Sequence, residues 1–388
     1  MNRLLVPASA LLWGLQFAFL NPALVLLLVA VFHAGPGEVG LVLAGYNASG
    51  FLASVLLPAY ADRRQDYLRP MVVCGVLTLA LAGLLAATSS LSVAFAGLVL
   101  LGAPAGVGVT LLFAYLAASG AGRSDVVNTR AVVSFAWVAG PPVAGFVISG
   151  FGNRAILAAI AAVAGLNLVA TAGLLARHAA ARAEPAEVDD GPGRDRAPLA
   201  VVATVVAAVV ALQATNSAAV SVLNLFVLQT LRLDVVWAGV ALSVSALLEI
   251  PALLLIGRLG ARFSDIGLIA AGCVAGIGYY AGMAVASGPV PLLALQVLNA
   301  AFIAVVAGVG LALFQRIIPR PGLASGLYTN TRRIGAIISG PIIALGALGT
   351  LGYRGVFLAC AALTAAALPL LLLARRRATA PAPLDPLG

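Results

Sequence analysis

Apolar stretches long enough to cross a lipid bilayer recur along almost all of this 388-residue chain, and this feature limits its possible folds most strongly. A spanning helix needs about 20 predominantly apolar residues and satisfies its own backbone polar groups. Hydrophobic residues make up 62% of the chain and charged residues 9%, which leaves too little polar surface for a soluble protein of this length. The alternation over about 10 residues that is typical of membrane barrels does not occur in the sequence. We therefore predict an all-α, multi-pass membrane protein.

Charged and turn-forming residues divide the chain into twelve predicted spans and one long polar segment. The polar segment, 182–198, is rich in charge, Pro and Gly, which is typical of a flexible linker. It separates a predicted N-terminal six-helix bundle, 1–181, from a C-terminal six-helix bundle, 199–388. The spans are predicted at 4–32, 39–61, 70–88, 91–119, 126–149, 154–176, 199–230, 235–257, 266–286, 290–316, 324–349 and 354–374.

The arginines predict the orientation in the membrane. An even number of spans puts both termini on one side, and if that side is the cytoplasm, only Arg154, Arg232 and Arg354 fall outside. This distribution follows the positive-inside rule. Arginine without lysine, together with abundant alanine, indicates a bacterial genome, so we predict the bacterial inner membrane with both termini cytoplasmic. Because the arginines lie in short gaps between spans, we do not expect nucleic acid to be the reason for the net charge of +9.

Enzyme and metal chemistry find no support in the sequence. Cys74, Cys273 and Cys360 lie within apolar segments without metal-ligand spacing, and His33 and His178 fall at span ends. The chain contains no phosphate loop and no nucleophile motif. We therefore expect no enzyme activity, no metal, no cofactor and no ATP-driven transport within this chain.

The two halves of the chain repeat each other. "NTR" begins at Asn128 and at Asn330, and "AGVG" begins at Ala105 and at Ala307. The members of each pair are separated by about 200 positions and keep the same order along the chain. Two six-helix bundles related by a parallel repeat are the arrangement of transporters of the major facilitator type, which bind substrate at the membrane midplane.

Two motifs resemble signatures of that superfamily. "PAYADRRQDYLR" resembles its loop signature, in which Asp62 and Arg63 fit while Pro58 replaces a glycine, so we do not expect the close packing that glycine allows there. The second copy, "GRLGARF", keeps Arg262. "WVAGPPVAGF" resembles the Gly-Pro signature of antiporters. The resemblance implies a conformational latch, and the alternatives are ordinary inside charge and a packing kink. The latch residues are Asp62, Arg63, Arg262, Gly140 and Pro141.

Further segments resemble the sugar efflux transporter family of the major facilitator superfamily. They are "SFAWVAGPP", "LLEIPALLLIG" and "LQVLNAAFIAVVAGVGLALFQ", followed by "LYTN", and the likeness covers nearly all the predicted spans. The resemblance implies the superfamily's twelve-helix fold and proton-driven export of sugars and glycosides by alternating access. The implied partners are a sugar or glycoside, protons and the lipid bilayer, and we expect a monomer.

Glu249 is the one acidic residue predicted at membrane depth. A carboxylate near the bilayer centre costs about 2.5–3.5 kcal/mol, so it must be protonated, paired or in a water-filled cavity. In this superfamily spans five and eight face each other, which makes Arg130 in span five its first candidate partner. We predict that the two residues couple proton movement by pairing in one conformation and separating in another. Arg332 and Arg333 are second candidates, and a static ion pair is the alternative.

A sugar site needs amides, hydroxyls and an aromatic face. The resemblance implies that spans one, four, seven and ten surround the cavity, with residues of spans two, five and eleven nearby. Because buried amides are costly unless satisfied, we expect several of them to converge there, although each could instead join two helices. The predicted residues are Gln16, Asn21, Tyr46, Asn47, Tyr115, Trp137, Gln213, Asn216, Asn224, Gln296, Asn299 and Asn330.

Two other functions stay open at this point. A drug exporter of the same superfamily would have a more aromatic, less amide-rich pocket, whereas aromatic residues make up 6% of this chain. A membrane receptor or scaffold would not require Glu249. The sequence favours a proton-coupled sugar exporter whose energy source is the proton gradient.

Overall fold

The computed structural model describes residues 4–183, 198–234, 236–259, 262–348 and 350–379, and within these ranges the chain forms helices and no strands. Long apolar runs favour helix because a helix satisfies its own N–H and C=O groups. The long helices are α1 (Leu5–Ala30), α2 (Pro36–Arg64), α3 (Leu68–Ala87), α4 (Leu91–Ala118), α5 (Arg123–Phe151), α6 (Ala155–Ala183), α7 (Leu199–Thr230), α8 (Val236–Leu259), α9 (Asp265–Val285), α10 (Pro289–Ile317), α11 (Pro321–Gly346) and α12 (Tyr353–Thr379).

Each predicted span corresponds to one of these helices. Within the described residues, 11 helices are long and apolar enough to cross a membrane. The helix α11 has 26 residues but is not among those 11, because its first half is polar. That half contains Ser325, Tyr328, Thr329, Asn330, Thr331, Arg332 and Arg333. Hydropathy therefore confirms eleven spans, and the polarity of α11 explains the difference from the prediction of twelve.

The repeat between the halves extends to irregularities within helices. The helix α4 contains a π-helical segment at Leu98–Gly102, and α10 contains one at Val305–Val309. The segment in α4 ends shortly before its copy of "AGVG", which begins at Ala105, and the segment in α10 overlaps its copy, which begins at Ala307. In α4 the following Pro104 also lacks an N–H that would continue the regular ladder. Such π-segments recur at functional sites in helical proteins.

Two arginines occupy matching positions of the repeat. Arg154, just before α6, donates to the Thr88 carbonyl at the end of α3 at 3.3 Å. Arg354, at the start of α12, donates to the carbonyls of Ala284 (2.6 Å) and Ala286 (3.0 Å) at the end of α9. A cation at a helix C-terminus satisfies carbonyls that have no partner within the helix. The two arginines end the repeated motifs "GNR" (152–154) and "GYR" (352–354), and both cap the C-terminus of a neighbouring helix.

Internal contacts divide the chain into two units. The first contains Met1–Gly193, Glu249–Arg258 and Arg320–Asn330, and the second contains Arg194–Leu248, Leu259–Pro319 and Thr331–Gly388. Part of α8 and the start of α11 therefore pack with helices of the first half. Of the predicted linker at 182–198, residues 184–197 lie outside the described residues. The predicted division at the linker into 1–181 and 199–388 stays a prediction.

Candidate functional site

Glu249 lies midway along α8 and is hydrogen-bonded to α5. Its Oε1 accepts a hydrogen bond of 2.8 Å from Ser134 Oγ. Val236 begins α8 thirteen residues earlier, or about 20 Å along a helix, which is near the middle of a spanning segment. Glu249 is half-buried, whereas Ser134 is buried with 4% of its surface exposed. The carboxyl group therefore has a neutral hydroxyl partner in this conformation.

Arg130 lies one helical turn before Ser134, on the same face of α5. Its Nε is buried and has no hydrogen-bond partner among the described residues. The ion pairs recorded for those residues do not include Arg130 with Glu249. The predicted pair is thus not formed in this conformation, and its formation in another conformation stays a prediction. The second candidates differ in burial, since Arg332 is exposed and Arg333 is half-buried.

The helices α5 and α8 approach closely beyond Glu249. A Cβ added to Gly257 would lie 3.2 Å from Asn128 Oδ1. The side chain of Asn128 is in turn held by Ser124, at 3.4 Å. The absence of a side chain at Gly257 therefore allows this approach.

Asp62 receives three hydrogen bonds at the end of α2. Its Oδ1 accepts from the N–H of Gly322 at 2.7 Å and from the Tyr67 hydroxyl at 2.7 Å, and its Oδ2 accepts from the N–H of Leu323 at 2.8 Å. Gly322 and Leu323 belong to the first turn of α11, whose N–H groups have no partner within the helix and favour a negative charge. Burial, followed by the hydrogen bond and charge of Asp62, raises the pKa of Tyr67. The other charges predicted in the latch, Arg63 and Arg262, are exposed.

The helices α2 and α11 are also in direct backbone contact. A Cβ added to Gly322 would meet the Pro58 carbonyl oxygen, and one added to Gly326 would meet the Ser54 carbonyl oxygen. Ser54 Oγ donates to Asn330 Oδ1 at 2.8 Å. The expectation that Pro58 would prevent close packing is wrong, because the glycines that permit it lie on α11. Pro58 has no N–H to donate to the Ser54 carbonyl four residues earlier, and that carbonyl oxygen faces Gly326.

Small residues line the contact between α1 and α5. A Cβ added to Gly140 would meet the Ala18 side chain, and one added to Gly14 would lie 2.6 Å from the Ala136 Cβ. The helix α5 remains continuous through the Gly-Pro motif, and Pro141 is exposed. In this structure Gly140 thus serves close helix packing, while the predicted part of Gly140 and Pro141 in a latch stays a prediction.

Two predicted amides of the second unit form a buried network with a serine. Asn299 Nδ2 donates to Gln296 Oε1 and to Ser245 Oγ, both at 3.0 Å. The exposed fractions are 0% for Gln296, 3% for Asn299 and 4% for Ser245. Asn299 Oδ1 has no partner among the described residues. The network joins α8 to α10, which is the helix–helix alternative left open by the sequence.

The amides of α7 differ in burial. Gln213 is buried with 7% of its surface exposed, and its Cβ would lie 2.8 Å from a Cβ added to Gly335. Asn216 is half-buried and Asn224 is exposed. Asn216 and Asn224 are therefore the more accessible of the three.

Two predicted residues of the first unit line an apolar cavity among α1, α2, α3, α4 and α6. They are Gln16 and Tyr46, beside Trp13 and Phe17. Gln16 is 4% exposed, and both polar atoms of its amide lack partners among the described residues. An unsatisfied buried amide is costly, so this amide is available to a polar group that enters the cavity.

The other predicted residues of the first unit do not join that cavity. Asn47 is exposed and donates to the Leu43 carbonyl of its own helix at 2.8 Å. Tyr115 and Trp137 are half-buried, and both have partners of their own. Asn21 lies in α1, and its side chain is outside the part of the chain that the structure describes.

Sequence reasoning missed several polar partners. They include Ser134 and Ser54, and the Thr110–Thr329 pair, whose hydroxyl oxygens lie 3.2 Å apart. Ser134 lies four residues after Arg130, the predicted partner of Glu249, so the two residues share one face of α5. This spacing could have identified Ser134 as a second candidate partner of Glu249. Gly322 and Gly326 form a GxxxG pattern, which indicates close helix packing in membranes.

Known proteins resemble this chain in sequence and in fold. The family model described as Major Facilitator Superfamily matches residues 8–339. Sugar efflux transporter A of Dickeya chrysanthemi is 34% identical over 92% of each chain. Sugar efflux transporter B of Salmonella typhimurium is 31% identical over 87% of each chain. The crystal structure of the E. coli fucose:proton symporter has a TM-score of 0.73 at 14% identity and covers 97% of this chain and 98% of its own, which is a likeness of fold.

These matches extend across both halves of the chain and agree with the repeated helices described above. The resemblance predicted from the motifs is therefore confirmed, and with it an all-α fold of the major facilitator type. Since the relatives are membrane transporters, the protein is a transporter and not an enzyme. The chain belongs to the sugar efflux transporter family of the major facilitator superfamily.

Proposed function

We propose that this transporter exports sugars or glycosides from the cytoplasm by proton-coupled antiport with alternating access. The names of the relatives support the substrate class, since they are sugar efflux transporters. The proposed setting is the bacterial inner membrane with both termini cytoplasmic, the proposed state is a monomer, and the proton gradient supplies the energy without a cofactor.

The observation that carries the coupling is the hydrogen bond between Glu249 and Ser134, at mid-helix and one turn from Arg130. A carboxyl group at membrane depth is rare unless it has a function. In one state its carboxyl group is held by a hydroxyl, and in another its carboxylate is attracted by a guanidinium. A proton gained and lost between the two states is then transferred across the membrane once per cycle.

Alternating access is supported by the contact of α2 with α11. Arg63, Arg64 and Arg69 beside Asp62 suggest that this end faces the cytoplasm. Opening the chain at that end requires Asp62 to release the N–H groups of Gly322 and Leu323 and Ser54 to release Asn330. The hydrogen bonds of Asp62 and Ser54 therefore favour the state that is closed toward the cytoplasm.

The test is transport by the full-length protein in proteoliposomes that contain a pH-sensitive dye. Antiport predicts that addition of a transported sugar drives protons outward, so the internal pH rises. Glucose, galactose, sucrose, maltose and lactose form the panel, with a cationic dye as the competing substrate. A rise with at least one sugar that disappears in Glu249→Gln supports the proposal. A response to the cationic dye and to no sugar would instead assign the chain to drug export.

A further inference from the structure

We propose that Ser134 is a positioning residue for Glu249 that retains its carboxyl group on α5 in both protonation states. This inference rests on the proposed coupling role of Glu249. It concerns the residue that holds the carboxyl group when Arg130 does not. The sequence motifs and the relatives' names assign no role to Ser134.

The direction of the Ser134 hydroxyl is unusual for this chain. Most helical hydroxyls described here donate to a carbonyl three or four residues earlier in their own helix. Examples are Ser119 to Tyr115, Ser149 to Phe146, Thr204 to Ala200, Ser221 to Ser217 and Ser339 to Ala336. Ser134 instead donates to Glu249 on another helix, although it is 4% exposed and a carbonyl of its own helix is within reach. The hydroxyl is thus committed to the carboxyl group.

Ser134 and Arg130 differ in which protonation state of the Glu249 carboxyl group they bind. A serine hydroxyl both donates and accepts, so it binds a carboxylate or a carboxylic acid. A guanidinium only donates, so Arg130 attracts the charged form alone. The i,i+4 spacing sets the Cβ atoms of the two residues about 5–6 Å apart on one helix face. The carboxyl group can therefore pass from one to the other without leaving α5.

Few other charges are placed to influence this position. In the described ranges, α1 and α4 contain no charged side chain. On α5 and α8 themselves, Arg123, Asp125 and Arg258 lie two or more helical turns from Ser134 or Glu249. Charges on other helices include Arg177 on α6, Asp62, Arg63 and Arg64 at the end of α2, Arg320 before α11, and Arg332 and Arg333 on α11, the second candidate partners of Glu249. Among the described residues of α5, Arg130 is the charged residue that lies within one helical turn of Ser134.

The experiment compares the pH dependence of lactose-driven proton movement in proteoliposomes of the wild type, Ser134→Ala, Ser134→Thr and Ser149→Ala. Lactose serves as the probe because it offers both hydroxyls and a glycosidic bond. A charge-assisted hydrogen bond to the carboxylate is stronger than a neutral one, so the Ser134 hydroxyl contributes differently to the two states of the transport cycle and its loss should change the pH profile of transport. We expect Ser134→Ala to shift the half-maximal pH by on the order of one unit.

The controls separate positioning from folding. Ser134→Thr keeps the hydroxyl and should stay near the wild-type profile, as should Ser149→Ala, whose hydroxyl bonds only its own helix. Thermal midpoints of all four proteins in detergent report folding, and a Ser134→Ala profile that shifts at an unchanged midpoint supports the proposal. A wild-type profile in Ser134→Ala, while Glu249→Gln shows no lactose-driven proton movement, overturns the proposal and leaves the coupling role intact. A wild type that shows no proton movement with lactose or with any other sugar of the panel overturns both.

Discussion

The carboxylate of Asp62 accepts a hydrogen bond of 2.7 Å from the backbone N–H of Gly322, the second residue of α11. A second N–H, from Leu323, binds the other carboxylate oxygen at 2.8 Å. An aspartate of one helix thus caps the N-terminus of another, where backbone donors are unpaired and the helix dipole favours negative charge. The contact is specific in geometry and breakable in one step, as a conformational latch requires.

Asp62→Asn should weaken this contact. The amide keeps one acceptor oxygen but loses the charge, at a cost of about 1 kcal/mol, or roughly a factor of five in an equilibrium. In a protein that carries Leu323→Cys, we expect maleimide to label the introduced cysteine several-fold faster when Asp62→Asn is also present than when Asp62 is retained. The native cysteines are buried, which keeps background labelling low. Asp66→Asn, in the adjoining loop, is the matched control, and equal labelling in the three proteins would contradict the latch.

Gly326→Ala should separate α2 from α11. The added methyl group would meet the Ser54 carbonyl oxygen, and overpacking of this kind costs about 1–3 kcal/mol. We expect lactose transport to fall at least several-fold, because the closed contact is disfavoured. Gly340→Ala provides the control on the same helix, since a Cβ there would meet nothing within 4 Å. Loss of transport in both variants would point to a general effect on α11 instead of the contact.

The fold was predictable from the sequence because the bilayer fixes both the length and the hydropathy of each span. Glu249 was also predictable, since an isolated carboxylate in an apolar segment is conspicuous. Its partner Ser134 was not, because serine is common in spans and usually bonds its own helix. The expectation that close packing would be absent at Pro58 was wrong for a related reason. How closely a residue packs depends on the facing helix, and here Gly322 and Gly326 of α11 permit the contact.

Exchange of the charges of Glu249 and Arg130 tests their predicted pairing in the other conformation. Glu249→Arg and Arg130→Glu alone each leave two like charges near one face of α5, so we expect each to lose coupled transport. The double exchange restores opposite charges, and we expect it to recover part of the lactose-driven proton movement. Arg130 does not pair with Glu249 in the conformation described here, so the double exchange does not restore a contact that stabilises this conformation. We therefore expect the double variant to recover a smaller share of the wild-type thermal midpoint than of the wild-type transport. Additive losses in the double variant would exclude the pair.

The buried amides of α10 were predicted to bind sugar, and their burial suggests a test. Asn299→Ala leaves Ser245 and Gln296 without a shared donor, at a cost of about 1–3 kcal/mol. We expect a lower thermal midpoint and an unchanged KM for lactose. Asn216→Ala on α7, at a half-buried position, should raise KM with little change in the midpoint. The opposite pattern, a raised KM at an unchanged midpoint in Asn299→Ala, would show that this amide meets the substrate.

The raised pKa of Tyr67 predicts how stability depends on pH in the alkaline range. Burial and the neighbouring Asp62 disfavour the phenolate in the folded state, whereas the unfolded chain loses this proton near pH ~10. Below that pH the folded and the unfolded state both keep the proton of Tyr67, so the contribution of Tyr67 to the free energy of unfolding is fully present. Above it the unfolded state binds fewer protons, so the free energy of unfolding falls as pH rises. The difference in thermal midpoint between the wild type and Tyr67→Phe, followed from pH 8 to 11, should therefore shrink or change sign above about 10. Tyr60→Phe, at an exposed position of α2, is the control, and a difference for Tyr67→Phe that stays constant with pH would contradict the assignment.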